Sequence, residues 1–135
     1  MIKELLTIKN KIMTLEGKTI ASKDIIRNGK TIGYISLLRY TSKTILHLEY
    51  SIGKEFRNQG IMSNELPKYL EWCKENQHTQ LLAMVEKGNE ASINLLTKNG
   101  FIQFSKATTT FAYLIDMSFS RERFAEFFNN FNNIN

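Results

Sequence analysis

Residues 45–64 read ILHLEYSIGKEFRNQGIMSN. Ile45 to Ile52 is apolar at both ends and rich in β-forming side chains, which is the composition of a half-buried strand. A polar loop follows, carrying Arg57-Asn58-Gln59-Gly60. Beyond it Leu66, Tyr69, Leu70 and Cys73 fall on one stripe of a helix. A strand that passes through a glycine-containing loop into a helix N-terminus makes an anion site. The first helical amides have no intrahelical partner, and the helix dipole favours negative charge there. Gly60 lets the backbone approach a ligand with no Cβ in the way.

Gln80 to Val85, with Leu-Leu-Ala-Met-Val at its heart, reads as a buried strand. Strand, crossover helix and buried strand make a parallel pair. Ligands of such sheets sit beyond the carboxyl ends of the strands, here Ser51 to Gly60 and Val85 to Asn89. The crossover helix has two readings. If Asn64 is its N-cap, Pro67 falls in the first turn, where a missing N–H costs little. If it starts at Gly60, Pro67 lies inside it and should kink it. Asn89 is placed to cap a second helix, Ile93, Leu95 and Leu96 to bury, and Gly100 to end it in the left-handed conformation.

Upstream, the chain predicts an antiparallel meander. Asn28-Gly29 between β-rich runs is a type I′ hairpin signal joining Thr19–Ile26 to Thr31–Tyr40. Thr41 to Lys43 turns into Ile45–Ile52. Residues 1–15 fit a helix loosely and a strand over part of Leu5–Leu15 better, with Glu16-Gly17-Lys18 as a turn.

Arg57, Gly60 and the residues around them resemble the pyrophosphate loop of the GNAT superfamily of acetyl-CoA-dependent N-acetyltransferases. That loop reads Arg or Gln, two residues, Gly, one residue, then Gly or Ala; Met62 departs from the last place. Asn89, Ser92, Leu95 and Lys98-Asn99-Gly100-Phe101 resemble the family's second signature, and together the two cover Ile45 to Phe104. The fold implied is α/β (α+β): a mixed sheet with an antiparallel N-terminal meander, one parallel pair around a crossover helix, and an extra C-terminal helix. Residues 1–135 would form one such domain. The helix pair that covers the acceptor site in this family has little room in the N-terminal segment.

Many members carry a tyrosine on the second helix that protonates the departing thiolate. Leu96 stands there instead. The chain looks more like the ribosomal-protein alanine N-acetyltransferases, which have a serine at the Ser92 position, a strand tyrosine like Tyr50, and a Gln-Gly-Ile loop followed by Ser, as in Gln59-Gly60-Ile61 and Ser63. The resemblance implies that backbone groups of Tyr50, Ser51 and Ile52 pair with the pantetheine arm. It implies that Arg57, Asn58, Gln59, Gly60, Ile61, Met62 and Ser63 hold the pyrophosphate. Asn89 would contact the cofactor, Lys98 would reach a CoA phosphate, and Ser92 would donate to the leaving thiolate. For the base that takes the amine's proton, His47 and Glu49 share one strand face. Glu86, Glu90 and a relay through water are alternatives.

The remaining features bound the class. A length of 135 residues with 42% hydrophobic content suits one globular core. The net charge of +5 and pI near 9.4 suit an anionic ligand. The lysines are scattered and no aromatic-basic motif accompanies them, so nucleic acid is a weak competitor. Cys73 alone offers neither a disulfide framework nor a metal cluster. No stretch has the length of a bilayer span and no signal-like run follows Met1, so a cytoplasmic enzyme without a membrane partner is expected. A CoA-binding regulatory module without turnover is the alternative. Lastly, Ser120 is placed to cap a helix whose Phe124, Phe127, Phe128 and Phe131 form an aromatic stripe, leading into a frayed tail within 119–135. That helix is expected to stand in for the N-terminal pair beside the acceptor site, in its own chain or across a homodimer.

Overall fold

The computed structural model describes residues 17–106 and 109–134, the last four of these by backbone alone. The strand expected within residues 5–15 lies outside them. Six strands form one sheet in the order β1-β2-β3-β4-β6-β5. β1 (Lys18–Arg27) and β2 (Lys30–Arg39) are joined by Asn28 and Gly29, whose φ angles of 51° and 75° are those of the expected type I′ turn. β2 pairs antiparallel with β3 (Ile45–Ile52). The turn between them is held by Ser42, whose Oγ accepts from the Ile45 N–H at 2.9 Å. β4 (Gln80–Glu86) is parallel to β3 and antiparallel to β6 (Thr110–Asp116), and β5 (Ile102–Lys106) closes the far edge.

α1 (Ile61–Glu75) crosses from β3 to β4 with Gly60 as its N-cap. The alternative start at Asn64 is thereby corrected: the Asn64 N–H already donates to the Gly60 carbonyl at 3.1 Å. Pro67 therefore sits inside the helix. Its missing N–H leaves the Ser63 carbonyl without its helical donor. Pro67 and Ser63 are both exposed, so that carbonyl faces solvent rather than the core, and the helix continues. Leu66, Tyr69, Leu70 and Cys73 are buried as their spacing requires.

α2 (Glu90–Lys98) runs from β4 towards β5. It ends in a Schellman motif: Gly100 has φ 92°, its N–H reaches the Thr97 carbonyl, and the Phe101 N–H reaches that of Leu96 at 3.0 Å. Leu96 and Phe101 are both buried, the apolar contact that accompanies this cap. β6 stops at Asp116, because its Oδ1 accepts from the Ser118 N–H and hydroxyl at 3.0 and 2.6 Å and turns the chain.

α3 (Arg121–Ile134) is capped by Ser120 as expected, with the Arg123 N–H 3.2 Å from its Oγ. Asp116 lies opposite Gln80, at the start of β4, so α3 begins at the end of the sheet away from Ile52 and Glu86. Arg121 donates to the Lys98 carbonyl at 3.0 Å, and Phe124 shares a groove with Pro67, Leu70 and Gly100. None of the described residues of α3 lines the clefts described below. Within its own chain, the expectation that this helix borders the acceptor site is corrected accordingly: it packs on α1 and on the end of α2.

Candidate functional site

The site is made by a gap in the sheet. β3 and β4 pair only at Ile45–Gln80, Leu46–Leu81 and His47–Leu82, and then diverge. The rest of β3 keeps β2 on one side and has an open edge on the other. The phase of the β2–β3 ladder is set by Gly53, whose N–H donates to the Ile32 carbonyl at 2.7 Å. In an antiparallel ladder the bonded pairs alternate. Ser51 therefore spends its backbone groups on Tyr34, and those of Tyr50 and Ile52 point into the gap. Of these, the Ile52 carbonyl is taken by Arg57 Nε at 3.2 Å. The Tyr50 N–H and C=O and the Ile52 N–H form an open strand edge.

Below that edge the loop turns into α1. Asn58 and Gly60 have φ angles of 62° and 73°. A Cβ at Gly60 would meet no atom within 4 Å, so the glycine is needed for its backbone angle, and the space above it is open. No side chain caps the helix. The amides of Ile61, Met62 and Ser63 are thus presented at the positive end of a 15-residue helix, beside Arg57 and Asn58. Gln59 turns away and donates to the Glu55 carbonyl at 3.2 Å. A cleft of about 470 Å³ runs from this loop along β3 to the start of α2.

At its upper end the Asn89 side chain accepts from the Ser92 N–H at 3.2 Å, capping α2 as its position suggested. This fixes Ser92 on the first turn with its hydroxyl 2.5 Å from that of Tyr50. A second cleft, about 490 Å³, opens on the sheet face that carries His47 and Glu49, with Tyr34, Tyr40, Met84 and Glu86 on its walls. Tyr50, Asn89 and Ser92 line both clefts. These three residues stand between the two spaces, beyond the point where β3 and β4 part.

The family model of the acetyltransferase (GNAT) domain matches residues 8–102. The chain belongs to the GNAT acetyltransferase family. No curated protein matches it in sequence. Among solved structures, it is similar to the ribosomal-protein-S5-alanine acetyltransferase of Vibrio fischeri, at 18% identity and TM-score 0.66, covering 85% of this chain and 69% of that one. The ribosomal-protein-S18-alanine N-acetyltransferase of Escherichia coli aligns at 15% identity and TM-score 0.64, covering 83% and 77%. The ribosomal-protein-alanine N-acetyltransferase of Brucella melitensis aligns at 19% and 0.64, covering 84% and 76%. At these identities the likeness shows a shared fold. The family assignment makes the chain an acyltransferase.

GNAT enzymes use acetyl-CoA as cosubstrate, and the residues here fit it. An open strand edge suits an amide-bearing pantetheine arm, and uncapped amides above an unobstructed Gly60 suit a pyrophosphate. Of the residues singled out in the sequence, Tyr50, Ser51, Ile52, Arg57, Asn58, Gly60, Ile61, Met62, Ser63, Asn89 and Ser92 come together around this cleft. Lys98 does not. It ends α2, three residues beyond the cleft-lining Leu95, with Arg121 on its carbonyl. Phe56, Ala91 and Leu95 also line the cleft, and nothing in their types distinguishes them from ordinary loop and core residues.

His47 and Glu49 share the second cleft, as their alternation predicts. His47 is 7% exposed and packs edge-on against Tyr40 at 5.4 Å, and its Nδ1 has no hydrogen-bond partner. Burial lowers its pKa to about 4. This histidine is therefore neutral at physiological pH. Among the described residues there is no cluster of metal-ligating side chains, and no helix is long and apolar enough to cross a membrane.

Proposed function

We propose that the protein transfers acetyl from acetyl-CoA to a primary amine, a protein N-terminus or a small amine, by direct attack within a ternary complex. The observation that carries this is the meeting of the two clefts at Tyr50, Asn89 and Ser92. A donor in the first cleft, with its phosphates on Arg57 to Ser63, points its thioester at the junction. An acceptor in the second cleft reaches the same point from the other face. Holding both there supplies proximity, which accounts for a large part of acyl-transfer catalysis. The Ile52 N–H, at the open edge, is placed to stabilise the carbonyl oxygen as it gains charge. Ser92 serves the leaving sulfur. Glu49, on the acceptor side, or an intervening water takes the amine's proton, and His47 is too weak a base to compete.

The second reading is a CoA-binding module without turnover. Met62, half-buried at the cleft where the family has glycine or alanine, favours it. Thiol release from acetyl-CoA, measured with a panel of small amines and peptides beginning with alanine, separates the two. Acceptor-dependent release supports transfer. CoA binding by calorimetry with no release from any acceptor supports the module. The proposal places the enzyme in the cytoplasm and includes a homodimer through α3, supported by Phe119 and Phe127, which stack at 5.7 Å and are 38% and 40% exposed. Sedimentation equilibrium tests the dimer.

A further inference from the structure

We propose that the Tyr50 hydroxyl is the proton source behind Ser92, so that the two form a relay to the departing sulfur; this rests on the acetyl-transfer reading above. Three observations carry it. The hydroxyls are 2.5 Å apart, on a strand and a helix separated by 42 residues. Both side chains line the junction of the two clefts. Leu96, which takes the place of the helix tyrosine seen in many relatives, is fully buried in the core and offers no proton.

The chemistry explains why serine alone is not enough. An aliphatic alcohol is a much weaker acid than a thiol, so Ser92 can solvate a thiolate but cannot give up its proton outright. A phenol, with a pKa near 10, is within about two units of a thiol near 8.5. A serine hydroxyl has one donor and two acceptor sites. It can accept from Tyr50 while it donates to sulfur. When the amine nitrogen bonds to the acetyl carbon, the C–S bond breaks and its electron pair stays on sulfur. The sulfur takes the Ser92 proton, and Ser92 takes that of Tyr50. The tyrosinate is then reprotonated, through water, by the proton that the nitrogen gives up. Nothing is oxidised and no other reactant is required. Burial raises the Tyr50 pKa, which keeps the phenol protonated and ready at neutral pH. Tyr50 is thus a positioning and relay residue, and Ser92 the one that touches the reacting sulfur. The tyrosine's task has moved from the helix to the strand.

The test needs no acceptor. Free CoA is bound to the full-length protein, and its thiol is titrated by thiolate absorbance. Cys73 does not interfere, because burial pushes its thiol up to about 12. In the parent protein the bound thiol is expected about one unit below its usual value of about 8.5. In Tyr50→Phe and in Ser92→Ala it should return to that value, with CoA affinity at pH 7 changed less than about twofold, since at that pH the thiol is protonated. 3-Fluorotyrosine at position 50 keeps the shape and makes the phenol more acidic, so it should lower the bound thiol's pKa further. It also serves if Tyr50→Phe folds poorly, and a merely structural tie would not respond to it. A thiol equally depressed in parent and Tyr50→Phe, or unmoved by fluorination, overturns the relay and leaves CoA binding standing. A parent protein that binds no CoA overturns the acetyl-transfer reading, and the relay with it.

Discussion

The Tyr50 hydroxyl lies 2.5 Å from the Ser92 hydroxyl, and the bond joins the strand before the glycine loop to the helix after β4. It crosses the place where β3 and β4 part. Removing the Ser92 hydroxyl leaves the helix cap intact, because Asn89 accepts from the Ser92 backbone N–H. Ser92→Ala should therefore lower kcat about 10²- to 10⁴-fold, the scale of one positioned proton donor. The dissociation constant for CoA should hardly change, since the thiolate exists only late in the reaction. An unchanged kcat on a working acceptor would reduce Ser92 to a helix-start residue.

Gly60 makes a sharper test of the donor cleft. Its φ of 73° strains any L-residue, and the space above it is open. Gly60→Ala should cost about 1 kcal/mol of stability from backbone strain and weaken CoA binding modestly. Gly60→Glu adds a carboxylate where phosphate is held, and should weaken CoA binding more than about tenfold, the equivalent of about 1.4 kcal/mol of like-charge repulsion. Calorimetry on the two variants separates strain from charge. Equal affinity in Gly60→Glu and parent would move the site elsewhere.

The elements fixed by local chemistry were legible in the sequence. Asn28-Gly29, Asn89, Gly100 and Ser120 each act on their own neighbours, and each does what its type dictates. The left-handed Gly60 before α1 was legible for the same reason. The start of α1 was ambiguous because Asn64 and Gly60 both offer plausible caps, and what decides between them is the loop's docking beside β3. Lys98 stands outside the cleft lining because a motif gives order along the chain, while which residues of a helix face a cleft depends on packing. The His47 pKa depends on what packs over it, and α3's position on which strand end it leaves; neither is a property of a short window. The bond between Tyr50 and Ser92 needed the fold itself.

His47 should make stability depend on pH. Its folded pKa is lowered to about 4 from a usual 6.5. The unfolded chain thus binds the proton first, so stability is complete above about pH 6.5 and falls as pH drops towards 4. The shift corresponds to about 3 kcal/mol across that window. Denaturant unfolding at pH 7 and pH 4 measures it. His47→Gln should flatten this part of the profile. A parent and variant with parallel profiles would mean that His47 is protonated as easily in the folded chain as in the unfolded one.

The far end of the molecule offers the complementary case, stability without catalysis. Phe124 is 1% exposed and sits in a groove with Pro67 and Leu70 of α1 and Gly100 at the end of α2. Phe128 is 3% exposed and packs on Phe124 with ring centroids 6.0 Å apart. Truncating a buried phenylalanine removes its transfer energy and leaves a cavity, a cost of about 3–5 kcal/mol. Arg121 fastens the same joint, with its side chain across Gly100 and its Nη1 on the Lys98 carbonyl. Phe124→Ala should therefore lower the melting temperature markedly, and Arg121→Ala less, since an exposed hydrogen bond contributes about 1 kcal/mol. Neither should change the CoA dissociation constant at a temperature where the variant is folded, because the groove and the cleft share no lining residue. Thermal melts and calorimetry on the two variants give both readouts. A folded Phe124→Ala that keeps its melting temperature would show that α3 is not packed as described. One that stays folded but loses CoA would show that the brace and the cleft are coupled, and would return the C-terminal helix to the functional site.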